Sequence, residues 1–89
     1  MTRVAVAILN YNGENLLPQF LPSVVRCSGD AEVVVIDNAS TDDSLGWMRR
    51  EYPHVRIIRL SKNLGYCGGY NDGLKEIDAD VAVLLNSDV

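Results

Sequence analysis

Val33-Val34-Val35-Ile36-Asp37-Asn38-Ala39-Ser40-Thr41-Asp42 is the stretch that decides the fold. An uninterrupted β-branched run fits a strand buried on both faces, as in a parallel sheet, because a strand with one wet face would alternate apolar and polar residues. The chain then turns polar within one residue. Ser40-Thr41-Asp42-Asp43 forms a capping-box-like start with acids in the first turn. A helix is therefore expected from Asp42 to Tyr52, with Leu45, Met48 and Tyr52 aligned and Pro53 as its stop.

The same unit recurs on both sides. Upstream, Val4 to Leu9 leads into Asn10-Tyr11-Asn12-Gly13 and then Glu14 to Cys27, where Leu16, Leu17, Phe20, Leu21, Val24 and Val25 share a helical face. Pro18 suits an early turn, whereas Pro22 predicts a kink or a break. Downstream, Val55 to Leu60 is interrupted by Arg56 and Arg59 and reads as a strand near an edge. The glycine-rich loop Ser61 to Gly69 follows, with a helix expected from about Gly68 to Ile77. Val81 to Leu85 makes a fourth apolar run, and Asn86 to Val89 follows it. Alternation of this kind predicts an α/β domain: a mainly parallel sheet of about four strands with helices on both faces. Ligands of such sheets bind beyond the carboxyl ends of the strands, where the strand order reverses.

Composition narrows the function. The 89 residues suffice for one domain, 47% are apolar and 22% charged, and the net charge is −4 with no Lys/Arg stripe. Nucleic-acid binding thus has no electrostatic footprint. His54 is the only histidine, too few ligands beside Cys27 and Cys67 for structural zinc. The cysteines are expected as two buried thiols of a cytosolic protein, with one disulfide formally open. The start shows no signal-peptide pattern, and no segment approaches the roughly 20 apolar residues that span a bilayer.

Three loops place hydrogen-bonding groups directly after a buried strand: Asn10 to Gly13, Asp37 to Asp42, and Asn86-Ser87-Asp88. Singly, each could be turn and cap chemistry. Together at one sheet edge they suit a ligand. Asp37 can accept from a base N–H or a ribose hydroxyl, and Tyr11 offers an aromatic face, a pair suited to a pyrimidine nucleoside. The glycines around Gly68 and Gly69 invite a phosphate-cradle reading. They spell neither GxGxxG nor a Walker A sequence, and Gly68, Gly69 and Gly73 equally suit close packing of a helix on the sheet. Asp37, Asp42, Asp43 and Asp88 gather at this rim, with Lys62 alone to answer them. A phosphorylated ligand there implies a divalent cation, Mg²⁺ or Mn²⁺, at Asp88.

The chain resembles the N-terminal part of an inverting family 2 glycosyltransferase of the GT-A fold, of the rhamnosyltransferase-like kind. The matching pieces are Val4-Ala5-Val6-Ala7-Ile8-Leu9-Asn10-Tyr11-Asn12, Val34 to Asp42, Asn63-Leu64-Gly65-Tyr66 through Asn71-Asp72-Gly73, and Leu84-Leu85-Asn86-Ser87-Asp88, in family order across the chain. The resemblance implies a Rossmann-like GT-A nucleotide-binding half over residues 1–89, with the acceptor-binding half absent. It implies that Asn10, Tyr11, Asn12 and Asp37, with Asn38 beside them, contact the uracil or thymine and its ribose. Asn63, Gly65 and Asn71 match the loop and helix that close over the nucleotide. Asn86-Ser87-Asp88 stands in the place of the DxD motif, with Asp88 as the metal ligand. Asn86 replaces the first Asp of that motif, and Tyr70 replaces an Arg often found before the matching Asn. The implied activity is transfer of a sugar from a UDP- or dTDP-sugar to a glycan or lipid-linked acceptor hydroxyl, as in cell-wall or polysaccharide synthesis. The general base belongs to the half after Val89, so this chain alone is expected to bind donor and transfer nothing. A cytoplasmic location is expected, with any membrane association belonging to the full-length protein.

Rival readings are weaker. A Rossmann-type dehydrogenase or methyltransferase needs glycines after the first strand, where Asn10-Tyr11-Asn12-Gly13 stands. A receiver-type module needs an acidic pair there and an Asp where Ser61 stands. A nucleotidyltransferase needs a basic, glycine-rich loop after the first strand. If Val81 to Leu85 pairs with the first strand, its free apolar edge invites self-association.

Overall fold

A computed structural model describes residues 3–86, apart from the side chains of Phe20, Tyr66 and Asn86. The elements are β1 (Val4–Asn10), α1 (Leu17–Cys27), β2 (Glu32–Asp37), α2 (Ser44–Glu51), β3 (Arg56–Arg59), α3 (Gly65–Leu74) and β4 (Val81–Asn86). The strands form one parallel sheet in the order β3-β2-β1-β4.

Handedness explains this arrangement. The crossovers through α1 and α2 step from β1 to β2 to β3 in one direction, so both helices fall on one face. There Leu17, Leu21 and Met48 pack on Ile8 and Val35. The crossover through α3 returns over β2 and β1 in the opposite direction, and right-handedness puts it on the other face. There Tyr70 packs on Ala7, Leu9 and Ile36. Alternate residues of β1 and β2 thus serve two separate clusters, which is why both runs are apolar throughout. The arginines of β3 are exposed at the edge the sequence assigned to it.

The two glycines Gly69 and Gly73 lie one turn apart and face the sheet. A Cβ on Gly69 would come within 2.8 Å of Leu9 Cδ1, and one on Gly73 would overlap the side chain of Ile36. Gly69 and Gly73 bring the helix close to the sheet, as the packing alternative expects, whereas a Cβ on Gly68 would meet Leu64 just before the helix.

Several expectations are corrected. The break at Pro22 does not occur: α1 runs through it, held on one flank by fully buried Leu17 and Leu21. Leu16 lies just before the helix and is exposed. The second helix begins at Ser44, not Asp42. The third spans Gly65–Leu74, three residues earlier than its apolar spacing suggested, because tertiary hydrogen bonds fix its start. Cys27 and Cys67 are both free and exposed rather than buried. Cys27 ends α1 and Cys67 lies in the first turn of α3, so each sits at a helix terminus away from both clusters.

Candidate nucleotide-binding rim

The sheet register sets the site. Asn10 of β1 is opposite Asp37 of β2, and Leu9 is opposite Asn86 of β4. The last residues of three strands therefore meet at one rim. The strand order reverses between β1 and β4, which makes this the switch point where open α/β sheets take ligands.

A buried polar network ties the first two loops together. Asn10 and Asp37 are fully buried. Asn10 Nδ2 donates to Asp37 Oδ1 at 3.0 Å and to Ser44 Oγ at 3.1 Å. Ser40 folds back on the same carboxylate: its N–H donates to Asp37 Oδ2 at 2.9 Å and its hydroxyl to Asp37 Oδ1 at 2.6 Å. This return is possible because Ala39 takes a left-handed conformation, φ 63°, an uncommon one for a residue with a Cβ. Asn10 Oδ1 is buried without a hydrogen-bond partner and faces Gly13. The amide is thus held through its donor side.

A second layer lies nearer solvent. Asn12, at φ 51°, receives Thr41 N–H on Oδ1 at 2.7 Å and donates its own N–H to Ser40 Oγ at 2.8 Å. Asp42 Oδ2 accepts from Glu14 N–H at 2.9 Å, while Oδ1 accepts the N–H and hydroxyl of Ser44 at 2.9 and 2.6 Å. Partial burial opposes the charge of Asp42, but these bonds outweigh it and hold the carboxyl below its ordinary value of 3.8. Tyr11, between the two anchored asparagines, is 48% exposed.

Asn38 faces the other way. Buried to 3% exposure, it receives Leu64 N–H on Oδ1 and donates to Gly65 O, both at 2.9 Å. It thereby pins the start of α3 to the end of β2. Asn63 Oδ1 accepts Gly65 N–H at 2.8 Å in the same turn. Asn71 is exposed on α3. Tyr70, where the resembling family often has Arg, is buried and donates its hydroxyl to the carbonyl of Leu85 near the end of β4.

The acidic rim expected from the sequence is largely spent within the protein. Asp37 and Asp42 accept the hydrogen bonds just described, and Asp43 pairs with Arg50 at 3.0 Å. Among the described residues no group of three or more His, Cys, Asp or Glu side chains could hold a metal ion. Ser87 and Asp88 lie outside the described residues. Sequence reading missed Ser40 and Ser44 as members of the network. Their signal was present in the serines flanking Thr41-Asp42-Asp43, but it coincides with ordinary helix-start chemistry.

The fold and rim define an α/β protein with a candidate ligand site at the carboxyl ends of its parallel strands. The sequence model of glycosyl transferase family 2 matches residues 5–89. This chain belongs to that family, and its fold is that of the GT-A glycosyltransferases. One relative, the undecaprenyl-phosphate 4-deoxy-4-formamido-L-arabinose transferase of Proteus mirabilis, is 28% identical over all of this chain and 30% of its own length. The crystal structure of S. aureus TarS 1-349 in complex with UDP-GlcNAc matches with a TM-score of 0.79 at 27% identity, over 97% of this chain and 26% of that one. The mannosyltransferase PcManGT from Pyrobaculum calidifontis, in complex with GDP-Man and Mn²⁺, matches with a TM-score of 0.80 at 25% identity, over 98% of this chain and 28% of that one. The chain thus spans under a third of the length of these proteins. Among the described residues no helix is long and apolar enough to cross a membrane.

Proposed function

We propose that residues 1–89 are the sugar-nucleotide-binding part of a glycosyltransferase that moves a sugar from a UDP- or dTDP-sugar to an acceptor hydroxyl. The observation that carries this is the rim itself: the loops after β1 and β2 are locked together by a buried network beside the switch point, with Tyr11 of the first loop exposed. The TarS relative taken with UDP-GlcNAc supports a uridine donor. In this reading Tyr11 meets the base. Asn10, Asn12 and Asp37 act by fixing the loops beneath the nucleoside, and Asn38, Asn63 and Gly65 by fixing the turn into α3. Asn71, exposed on that helix, faces the nucleotide, and Asn86 and Ser87 flank the diphosphate.

A divalent cation, Mg²⁺ or Mn²⁺, belongs to the same proposal with Asp88 as its ligand. The Mn²⁺ in the Pyrobaculum relative supports it. The described residues alone do not make a metal site. Transfer with inversion at the anomeric carbon would form the acceptor O–C bond as the C–O bond to the diphosphate breaks. The described rim carboxylates are engaged in hydrogen bonds and an ion pair, which supports a general base outside this chain and no turnover by the chain alone. The acceptor in this proposal is a glycan or a lipid-linked one, and the Proteus relative, whose name carries undecaprenyl phosphate, supports the lipid-linked form. A cytoplasmic setting and a role in polysaccharide synthesis complete the reading.

Calorimetry with UDP, dTDP, GDP and CTP, each with Mn²⁺ and with EDTA, tests it. Uridine or thymidine diphosphate should bind most tightly and lose affinity in EDTA. Equal binding of all bases would remove the pyrimidine assignment, equal binding in EDTA the metal, and no binding the function.

A further inference from the structure

We infer that Ser40 is a positioning residue for Tyr11, setting the aromatic ring through both of its chain neighbours with one hydroxyl. The inference rests on the nucleotide reading of the rim. Ser40 Oγ accepts Asn12 N–H at 2.8 Å and lies 3.3 Å from Asn10 Nδ2, while its own proton goes to Asp37 Oδ1 at 2.6 Å. Tyr11 lies between these two neighbours, so the peptide N–H that follows it and the side-chain amide of the residue before it are referenced to the same oxygen. That oxygen is in turn fixed by a fully buried carboxylate at the end of β2. Tyr11 is 48% exposed.

The geometry has a direct chemical consequence. A hydroxyl can accept from Asn12 and donate to Asp37 simultaneously, so Ser40 couples an exposed backbone amide to an anion in the interior. Alanine at this position keeps the Cβ and the backbone N–H bond to Asp37 Oδ2 but loses the bond from Asn12 N–H, leaving the loop after β1 tied only through Asn12 Oδ1 and Asp42 on that side. Tyr11 would then sample several poses, and a base stacking on it would have to select one of them, which lowers affinity. Ser40 would touch no ligand atom in doing so.

The test has two arms. In the ligand-free chain, amide exchange at Asn12 should accelerate about tenfold in S40A, the ring resonances of Tyr11 should shift, and amides of β2 away from Ser40 should exchange as in the wild type. Unchanged exchange and shifts would overturn the inference whether or not the chain binds nucleotide. In the second arm, UDP affinity is measured for the wild type, S40A, Y11A and the double variant. S40A should weaken UDP about tenfold on the wild-type background and not at all on Y11A, since neighbours acting as a unit are non-additive. Equal weakening on both backgrounds would mean that Ser40 acts independently of Tyr11 and would also overturn it. If the first arm succeeds and the wild type fails to bind UDP, the positioning stands and the nucleotide reading falls. Should S40A fail to fold, S40C supplies both arms, because its thiol keeps the volume and bonds only weakly.

Discussion

The carboxyl-end rim and the outer strand β4 belong to one parallel sheet and are built from similar residues, yet they end up in opposite states. In β1, Ala5 to Leu9 are buried, and the strand finishes in the fully buried side chain of Asn10. In β4, the equally apolar Val81, Val83, Leu84 and Leu85 are 36–48% exposed. Residue character does not separate them; position does. Strand β1 lies between two neighbours and beneath helices on both faces, whereas β4 is paired on one side and held to α3 near its end by Tyr70. An apolar run thus states how a strand is prepared to be buried, and strand order decides whether it is.

The same contrast separates what each region can lose. On the rim, buried polar groups other than Asn10 Oδ1 hold one another by hydrogen bonds, so removing one leaves others stranded. The largest effect is expected at its centre. Asp37→Ala strips partners from Asn10 Nδ2, Ser40 Oγ and Ser40 N–H together. A loss of about 2–3 kcal/mol by urea denaturation should follow; a loss under about 0.5 kcal/mol would place the network outside the folded state's stabilising contacts.

A smaller effect should appear with pH. Asp42 has its carboxyl held below 3.8 by bonds from Ser44 and Glu14. A lowered folded value means that the anion's contribution is complete above the unfolded value and is lost as pH falls through the folded one. Thermal melts of the wild type should therefore weaken from about pH 4 downward, and Asp42→Asn should flatten that part of the profile. An unaltered profile would show that Asp42 does not join the two loops in solution.

The edge should give the smallest change in stability and a large change in assembly. We propose that the exposed strand mediates self-association of this chain, since β4 has no Pro, Lys or bulge to guard it. Leu84→Lys should leave the unfolding free energy from urea denaturation within about 0.5 kcal/mol and convert associated species to monomer by sedimentation. A wild type that stays monomeric at high concentration would end that proposal, and with it the contrast between a sealed rim and an adhesive edge.

Sequence by itself determined the parallel α/β layout and the edge position of β3. The reason is local: burial on both faces must appear as an unbroken apolar run, and Arg56 and Arg59 cannot sit in the middle of a sheet. Tertiary structure decided the rest. Asp37 and Asn38 are adjacent in sequence and both resemble ligand contacts, but one is bound to Asn10 and Ser40 and the other clamps Leu64 and Gly65. The start of α3, the exposure of Cys27 and Cys67, and the place of Ser44 in the network were equally illegible. Each depends on partners far along the chain, as with Asn10 and Ser44, 34 residues apart. A hydrogen bond over that span has no periodicity to read, and only the assembled sheet brings its two ends within reach.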